Sequence, residues 1–174
     1  MKDPIRILQD EHTVLLEAII TGRALQKTID NTVYYKLMHD FIIFIRNFTE
    51  IYHYPKEENI LFPLLQNRSA AMTKEFIHEI SDNHEDFKSM IAEIENHYMI
   101  QDSIQLRKTM NNYFEVLAEH IKRENKIILS AADKILSITE KKNIYDQFEK
   151  TDKKNGEKEE LKKELYKIKE LLND

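Results

Sequence analysis

Residues 53–57 read His-Tyr-Pro-Lys-Glu and residues 120–124 read His-Ile-Lys-Arg-Glu, so a His-x-x-x-Glu motif occurs twice, 67 residues apart. Two single histidines, His12 and His84, precede the two copies and are themselves 72 residues apart. Side chains four positions apart lie on the same helix face, so each motif presents an imidazole and a carboxylate together. Four imidazoles and two carboxylates in this repeated order predict a binuclear metal site.

Apolar residues recur at steps of three and four around each of these groups, which is the pattern of one helix face. The first helix is expected to begin at Asp3-Pro4, a capping residue followed by proline in the first turn. Turn-like segments at residues 30–32, 66–69 and 101–103 separate four such helices, and short connections of this kind favour antiparallel neighbours. The sequence therefore predicts an all-α fold, an up-down-up-down four-helix bundle.

The composition agrees with a helical protein and excludes several other classes. Only two glycines and three prolines occur among 174 residues, and 33% of the residues are charged, which favours long helices. The absence of cysteine excludes disulfides, thiolate zinc sites and iron–sulfur ligation. The net charge of −5, with acids and bases interspersed, does not indicate nucleic-acid binding. Because the chain shows no signal-peptide pattern and no membrane-spanning apolar run, we expect no membrane association and a cytoplasmic protein.

The polar groups on the apolar faces have an alternative interpretation as ordinary core residues. A single histidine there is more often a hydrogen-bonded core residue than a ligand, whereas a buried carboxylate is seldom left unpaired. Six such groups at matched levels would each cost several kcal/mol as buried charges, which favours a buried cation. We expect two imidazoles on each of two metals, bridging glutamates, and an oxo or hydroxo bridge. The predicted metal ligands are His12, His53, Glu57, His84, His120 and Glu124.

Other residues near the motifs have less defined roles. Glu58 and Glu119 adjoin predicted ligands and are candidates to accept hydrogen bonds from imidazole N–H groups, although solvent-facing charges fit equally well. Pro55 stands inside the first motif and predicts a helix kink or restart. At a rise of about 1.5 Å per residue, His39 and His97 lie about 20 Å along their helices from the predicted site. Both are therefore excluded from it. His78 is also excluded, because it faces another side of its helix than His84.

The segment 53–63, HYPKEENILFP, resembles the second-helix signature of hemerythrin-like, HHE cation-binding domains. Asp10-Glu11-His12, Asn83-His84-Glu85 and the motif at 120–124 follow in the order of that family, so the resemblance covers residues from about 3 to 136. It implies a four-helix bundle around a non-haem di-iron centre, with two iron ions as cofactor. The four histidines would then be terminal ligands, and the two glutamates would bridge.

Two departures from the family pattern bear on function. Oxygen-carrying hemerythrins place two histidines four apart on the third helix, whereas Ile80 and Lys88 occupy those positions beside His84, and the fourth-helix carboxylate is Glu124 instead of aspartate. The ligand set is more similar to di-iron proteins that repair iron–sulfur centres, which usually carry an additional cysteine-bearing segment. We therefore expect binding or sensing of O2, NO or iron, in oxidative or nitrosative stress or in iron–sulfur repair, without deciding whether the protein is an enzyme.

Two alternative functions remain at this point. Glu50 with His53, and Glu75 with His78, have the Glu-x-x-His spacing of ferritin-like di-iron oxidases or peroxidases. The other alternative is a metal-free helical interaction module.

The C-terminal part of the chain differs from the rest. We divide the sequence into a bundle at residues 1–138 and a charged linker with an amphipathic helical tail at 139–174. Leu161, Leu165, Ile168 and Leu172 give the tail helix an apolar face that is too short for stability alone. A solvated tail is the favoured interpretation, and packing on the bundle or self-association through this helix are the alternatives.

Overall fold

The computed structural model describes residues 2–68, 70–155 and 158–172, and every regular element within these ranges is helical. Two of the helices are continuous rods in which α-helical and π-helical segments alternate. The six helices are α1 (Pro4–Leu25), α2 (residues 31–66), α3 (Ala71–Met99), α4 (residues 103–135), α5 (Ile138–Asn155) and α6 (Lys158–Leu171). None of the described helices is long and apolar enough to cross a bilayer.

Aspartate side chains cap three helix starts where the sequence predicts turns. Asp3 accepts a hydrogen bond from the backbone N–H of Ile5 at 2.9 Å, with Pro4 in the first turn, which confirms the predicted start of α1. Asp30 caps α2 and Asp102 caps α4 by accepting from backbone N–H groups at 3.0 Å. These caps satisfy donors that the first turn of a helix leaves without a partner.

The rods α2 and α4 contain three π-helical segments. In α2 they are Asn47–His53 and Glu57–Leu61, and in α4 the segment is Asn125–Leu129. Pro55 lies in the single α-helical turn between the first two, and the N–H of Tyr54 bonds to the carbonyl of Thr49, five residues back. The helix thus continues through Pro55, because a change of winding accommodates the ring and the missing N–H.

Helices α1 to α4 form a closed ring of neighbours: α1 packs on α2 and α4, and α3 packs on α2 and α4. Their buried side chains form two apolar clusters. One contains Leu15, Phe87 and Ile121, and the other contains Leu8 and Ile128. The predicted ligands occur where residues of one cluster give way along the helices to residues of the other, so a polar layer lies at the junction of two apolar cores.

The C-terminal helices are packed on the protein, so the favoured expectation of a solvated tail is wrong. Helix α5 contacts α1 and the π-helical part of α2, and buries Ile144 and Phe148. Helix α6 contacts α1 and α2, and buries Leu165 and Ile168. The charged segment interpreted as a linker is helical as far as Asn155, while Gly156 lies outside the described residues.

Gly22 allows three helices to meet, and its replacement by alanine is expected to destabilise the fold. A Cβ at this position of α1 would lie 2.8 Å from Cζ of Phe41 on α2 and would overlap the ring of Phe114 on α4. Both rings are fully buried, so they have little room to move. Although alanine favours helices, overpacking should lower the free energy of unfolding by about 1–3 kcal/mol.

Urea unfolding of the metal-free protein measures this effect. Ala24→Ser adds one atom at an exposed position of the same helix and serves as the control, with an expected change within about 0.5 kcal/mol. A Gly22→Ala variant as stable as the parent would show that the rings of Phe41 and Phe114 can move aside. The close approach of the three helices at Gly22 would then be unimportant for stability.

Candidate metal centre

All six predicted ligands lie together in the polar layer. They form two groups whose potential ligand atoms lie within 4.8 Å of one another in each group. Each of helices α1 to α4 contributes at least one residue, and the most exposed of the six, His120, has only 4% of its surface exposed. The groups are His12, His53 and Glu57, and His84, His120 and Glu124.

The carboxylate of Glu57 faces both groups. Its Oε1 lies 3.1 Å from Nε2 of His53 and 3.6 Å from Nε2 of His12. Its Oε2 lies 3.6 Å from Nε2 of His84, which belongs to the other group. Each oxygen of one carboxylate is therefore directed to a different group, as a bridging ligand requires.

Glu124 spans the two groups from the opposite rod. Its Oε2 lies 3.4 Å from Nε2 of His12 and 3.5 Å from Nε2 of His120. The Nε2 atoms of His84 and His120 are 3.3 Å apart. The layer thus places four Nε2 atoms around two shared carboxylates.

The outward nitrogen of every imidazole has an oxygen partner from the protein. An Nδ1–H that donates to such an oxygen fixes the tautomer and leaves the lone pair on Nε2 directed inward. Each ring is in this way oriented for a cation at the centre. The partners are Asn125 for His12 (2.9 Å), Glu11 for His53 (2.8 Å), Glu58 for His84 (2.8 Å) and Asn83 for His120 (3.4 Å).

The inward atoms lack the donors that buried acceptors need. Nε2 of His12 and both oxygens of Glu57 and of Glu124 have no hydrogen-bond partner among the described residues. The Nε2 atoms that face these carboxylates are themselves acceptors in this tautomer, and Nε2 of His12 in turn faces carboxylate oxygens. Buried polar atoms are nearly always satisfied, and a cation satisfies acceptors that face one another. The residues present therefore fit a metal centre with nitrogen and oxygen ligands.

Without a metal, protons supply part of the missing positive charge. Burial lowers the pKa of His53, but the carboxylates of Glu57 and Glu11 outweigh burial and raise it from 6.5 to about 9. Burial likewise opposes protonation of His12, yet Glu124 and Glu57 raise its pKa well above 6.5. Since the metal would need neutral imidazoles, metal ions and protons compete for this layer.

The remaining groups of the layer shift in opposite directions. Burial raises the pKa of Glu124, and the nearby Glu57 carboxylate raises it further. Burial also raises the pKa of Glu57, but His53 and His12 outweigh it and hold the pKa well below 4.5. Burial and the neighbouring His84 lower the pKa of His120 well below 6.5. The pKa values of the two carboxylates that share the site therefore shift in opposite directions, as expected for like charges held close together beside imidazoles.

The residues around the ligands agree only in part with the sequence prediction. Glu58 does accept a hydrogen bond from an imidazole, whereas Glu119 lies at the surface and pairs with Lys122 at 3.1 Å, as its alternative interpretation as a solvent-facing charge predicts. The partners Glu11, Asn83 and Asn125 were not predicted. Glu11 could have been found, because it lies three residues after Leu8 and four before Leu15 on the apolar stripe of α1.

The histidines excluded by spacing lie outside the two groups. His39 pairs with Asp40 at 3.2 Å and His97 pairs with Glu93 at 3.2 Å, both away from the polar layer. His78 and Glu75 are exposed on α3, so the second Glu-x-x-His motif does not reach the layer. The ferritin-like alternative therefore loses half of its ligand set.

Comparison with known proteins gives one match. The family model described as the hemerythrin HHE cation-binding domain matches residues 3–132, which is most of the chain. The matched segment contains all six residues of the layer and ends before α5. No curated protein and no solved structure is significantly similar to the chain.

Metal binding at pH 7.5 is expected to release about two protons per chain, mainly from His12 and His53. The folded pKa of His53 lies above its ordinary value, so the ring keeps its proton until the pH rises through about 9. The number of protons that metal binding releases from His53 should consequently decline above that pH. Calorimetric titration with Zn²⁺ in two buffers of different protonation enthalpy measures the number of protons, with His78→Ala as the unaffected control. Equal apparent enthalpies in both buffers at pH 7.5 would contradict the expectation.

Replacing Glu58 by glutamine should weaken metal binding, because the amide is a poorer acceptor for the Nδ1–H of His84. Loss of such an orienting partner typically costs 10–100-fold in metal affinity. Glu119→Gln makes the same chemical change at a surface carboxylate of α4 and should have no effect. Competition with a chelator of known affinity measures both variants, and equal losses in the two would show that only net charge matters.

Proposed function

The chain belongs to the hemerythrin HHE cation-binding domain family, and from this membership we propose that its buried layer holds two iron ions, one in each group. The observation that carries the proposal is the pair of shared carboxylates. Glu57 contacts imidazoles of both groups, and so does Glu124. Carboxylates between two sets of inward Nε2 atoms are the arrangement that a bridged metal pair needs.

The helix contacts support an up-down-up-down arrangement for the four helices that hold the layer. Consecutive helices among α1 to α4 pack together, and α4 packs back on α1. We propose this topology because short connections join the consecutive neighbours. It would bring His12, His53, His84 and His120 to one level from four directions.

We further propose that the site binds a small ligand such as O2 or NO. Two imidazoles and the shared carboxylates would hold each metal, and this small number of protein ligands would leave room for an external ligand. Bound iron would supply redox chemistry and affinity for diatomic ligands. The chain's own residues would fix the imidazoles by hydrogen bonds at Nδ1 and exclude bulk water from the layer.

The surroundings of His84 favour sensing or scavenging over oxygen storage. Ile80 is an apolar residue with 1% of its surface exposed, and Lys88 pairs with Glu85 at 2.6 Å, so neither supplies a further imidazole on α3. The two metals would therefore have similar protein ligands, each with room for an external ligand. We place this activity in the response to oxidative or nitrosative stress, with iron–sulfur repair as the narrower alternative.

A cavity between α3 and α4 offers a path for such a ligand. It has a volume of about 280 Å³, and His120, Phe87 and Met90 are among its lining residues. At its rim Arg123 donates two hydrogen bonds to Glu79, at 2.5 and 2.9 Å. We propose that small ligands approach the His84–His120 group through this cavity.

Reconstitution with ferrous iron without oxygen tests the proposed centre. We expect about two irons per chain, and about one or fewer in a His53→Ala/His120→Ala variant, because each group loses an imidazole. His78→Ala, an exposed histidine of α3, is the control and should keep two. Iron analysis gives the stoichiometry, and Mössbauer spectroscopy after oxidation reports magnetic coupling through a bridge.

Two outcomes would contradict the proposal. A single iron per chain in the parent protein would exclude the metal pair. Two uncoupled irons would exclude the bridging roles of Glu57 and Glu124.

Exposure of the ferrous protein to NO then tests the ligand directly, since an unchanged absorption spectrum would remove NO from the proposed function.

A further inference from the structure

A chain of buried polar contacts joins His53 to the C-terminal tail. Nδ1 of His53 lies 2.8 Å from Oε2 of Glu11, and Oε1 of Glu11 accepts a hydrogen bond from Nζ of Lys56 at 2.6 Å. The same Nζ lies 2.6 Å from Oδ1 of Asp152 on α5. The hydroxyl of Tyr52 donates to the other oxygen of Asp152 at 3.2 Å.

Lys56 is an unusual residue to find at this depth. No part of its side chain is exposed, and the same holds for Glu11. A buried ammonium is costly unless charges and hydrogen bonds surround it on several sides. Besides the two carboxylates, the ring of Tyr52 lies 3.4 Å from Nζ and supplies a cation–π contact. Asp152, with 27% of its side chain exposed, is thus the tail's contribution to holding this ammonium.

We propose that Asp152 is a positioning residue for the His12–His53 half of the metal centre, acting through Lys56 and Glu11. Docking of α5 places Asp152 against Lys56, which in turn directs Glu11 to the imidazole of His53. The tail thereby sets the metal affinity of one half of the site. This inference rests on the proposed function, because it assumes that the two groups bind metal.

The opposite half lacks this arrangement. Its histidines are oriented by Glu58, with 30% of its side chain exposed, and by Asn83, at the 3.4 Å contact to His120. Helix α5 does contact the α2 segment Glu57–Leu61, but the polar contacts described for Glu58 and Asn83 are to His84 and His120 and not to a residue of α5. Loss of Asp152 should therefore affect one metal and leave the other.

Polar positioning can be separated from apolar docking of the tail. Ile144 and Phe148 bury α5 against the second apolar cluster and are untouched by a change at position 152. Asp146 lies on the same helix, is exposed, and offers the same chemical change. The pair Asp152→Asn and Asp146→Asn therefore compares loss of one carboxylate charge at the buried contact with the same loss at the surface.

Stepwise Zn²⁺ titration of the full chain, with competing chelators, is the first test. In Asp152→Asn we expect one of the two equivalents to weaken by about 10–100-fold, the usual range for loss of an orienting partner. The other equivalent should stay within a factor of about three. Asp146→Asn should change neither, and Asp152→Glu should restore most of the affinity. Two unchanged equivalents in Asp152→Asn, or equal losses in Asp146→Asn, would overturn the proposal.

A double-mutant cycle tests whether Asp152 acts through Lys56. In a Lys56→Met background the further change Asp152→Asn should have no additional effect on Zn²⁺ affinity, because the residue that transmits it is gone. Additive losses would show an independent, purely structural role for Asp152 and would overturn the assignment.

Two readouts on the metal-free protein keep this test distinct from that of the proposed function. The Nδ1–H resonance of His53 should be protected from solvent exchange in the parent and in Asp146→Asn, and lose protection in Asp152→Asn. Hydrogen–deuterium exchange of residues 158–171 reports whether α6 stays docked. Loss of protection of the His53 Nδ1–H in Asp152→Asn supports positioning through Lys56 and Glu11, whether or not two metals bind. Faster exchange in α6 of Asp152→Asn with an unchanged His53 signal would show that Asp152 only holds the tail on the bundle. That result would overturn its role in positioning His53.

Discussion

The rest of the structure depends on one electrostatic constraint, the burial of two carboxylates beside four inward-facing imidazole lone pairs. These acceptors lie between two apolar clusters, where an unpaired charge costs several kcal/mol. The protein provides oxygen partners on the outside of the four rings, and the described residues offer no donor to the inward atoms of His12, Glu57 and Glu124. The arrangement is satisfied by positive charge at the centre, which protons supply in part and metal ions would supply fully.

The winding of α2 and α4 follows from the same constraint. One π-helical segment ends at His53, the next begins at Glu57, and the third begins directly after Glu124. A π-helical turn adds residues to a helical turn and changes which side chains face inward beyond it. Each of α2 and α4 can thus direct an imidazole and a carboxylate to the polar layer. Its apolar residues before and after the layer still face the two apolar clusters. Pro55 is tolerated because it stands where the winding already changes.

The six central residues were predictable because their signal is local and repeated. Helical spacing within each rod, together with the order of four helices, was enough to bring them together. Glu11, Lys56 and Asp152 were not predictable as a set, since their relation depends on which helices become neighbours. The tail was misjudged for a related reason: α5 has few apolar residues, and Ile144 and Phe148 become a docking face only when α1 and α2 provide the surface that receives them.

Similar ligands do not make the two halves of the layer equivalent. Behind His53 lie a carboxylate, a buried ammonium and the Asp152 carboxylate, of which the last belongs to the docked helix α5. Behind His84 and His120 lie a partly exposed carboxylate and an amide, and His120 and Asn83 line the cavity between α3 and α4. Groups behind a ligand tune its basicity and its freedom to move. A rigid half on the tail side and a more accessible half on the cavity side would let one metal anchor the centre while a small ligand is received at the other.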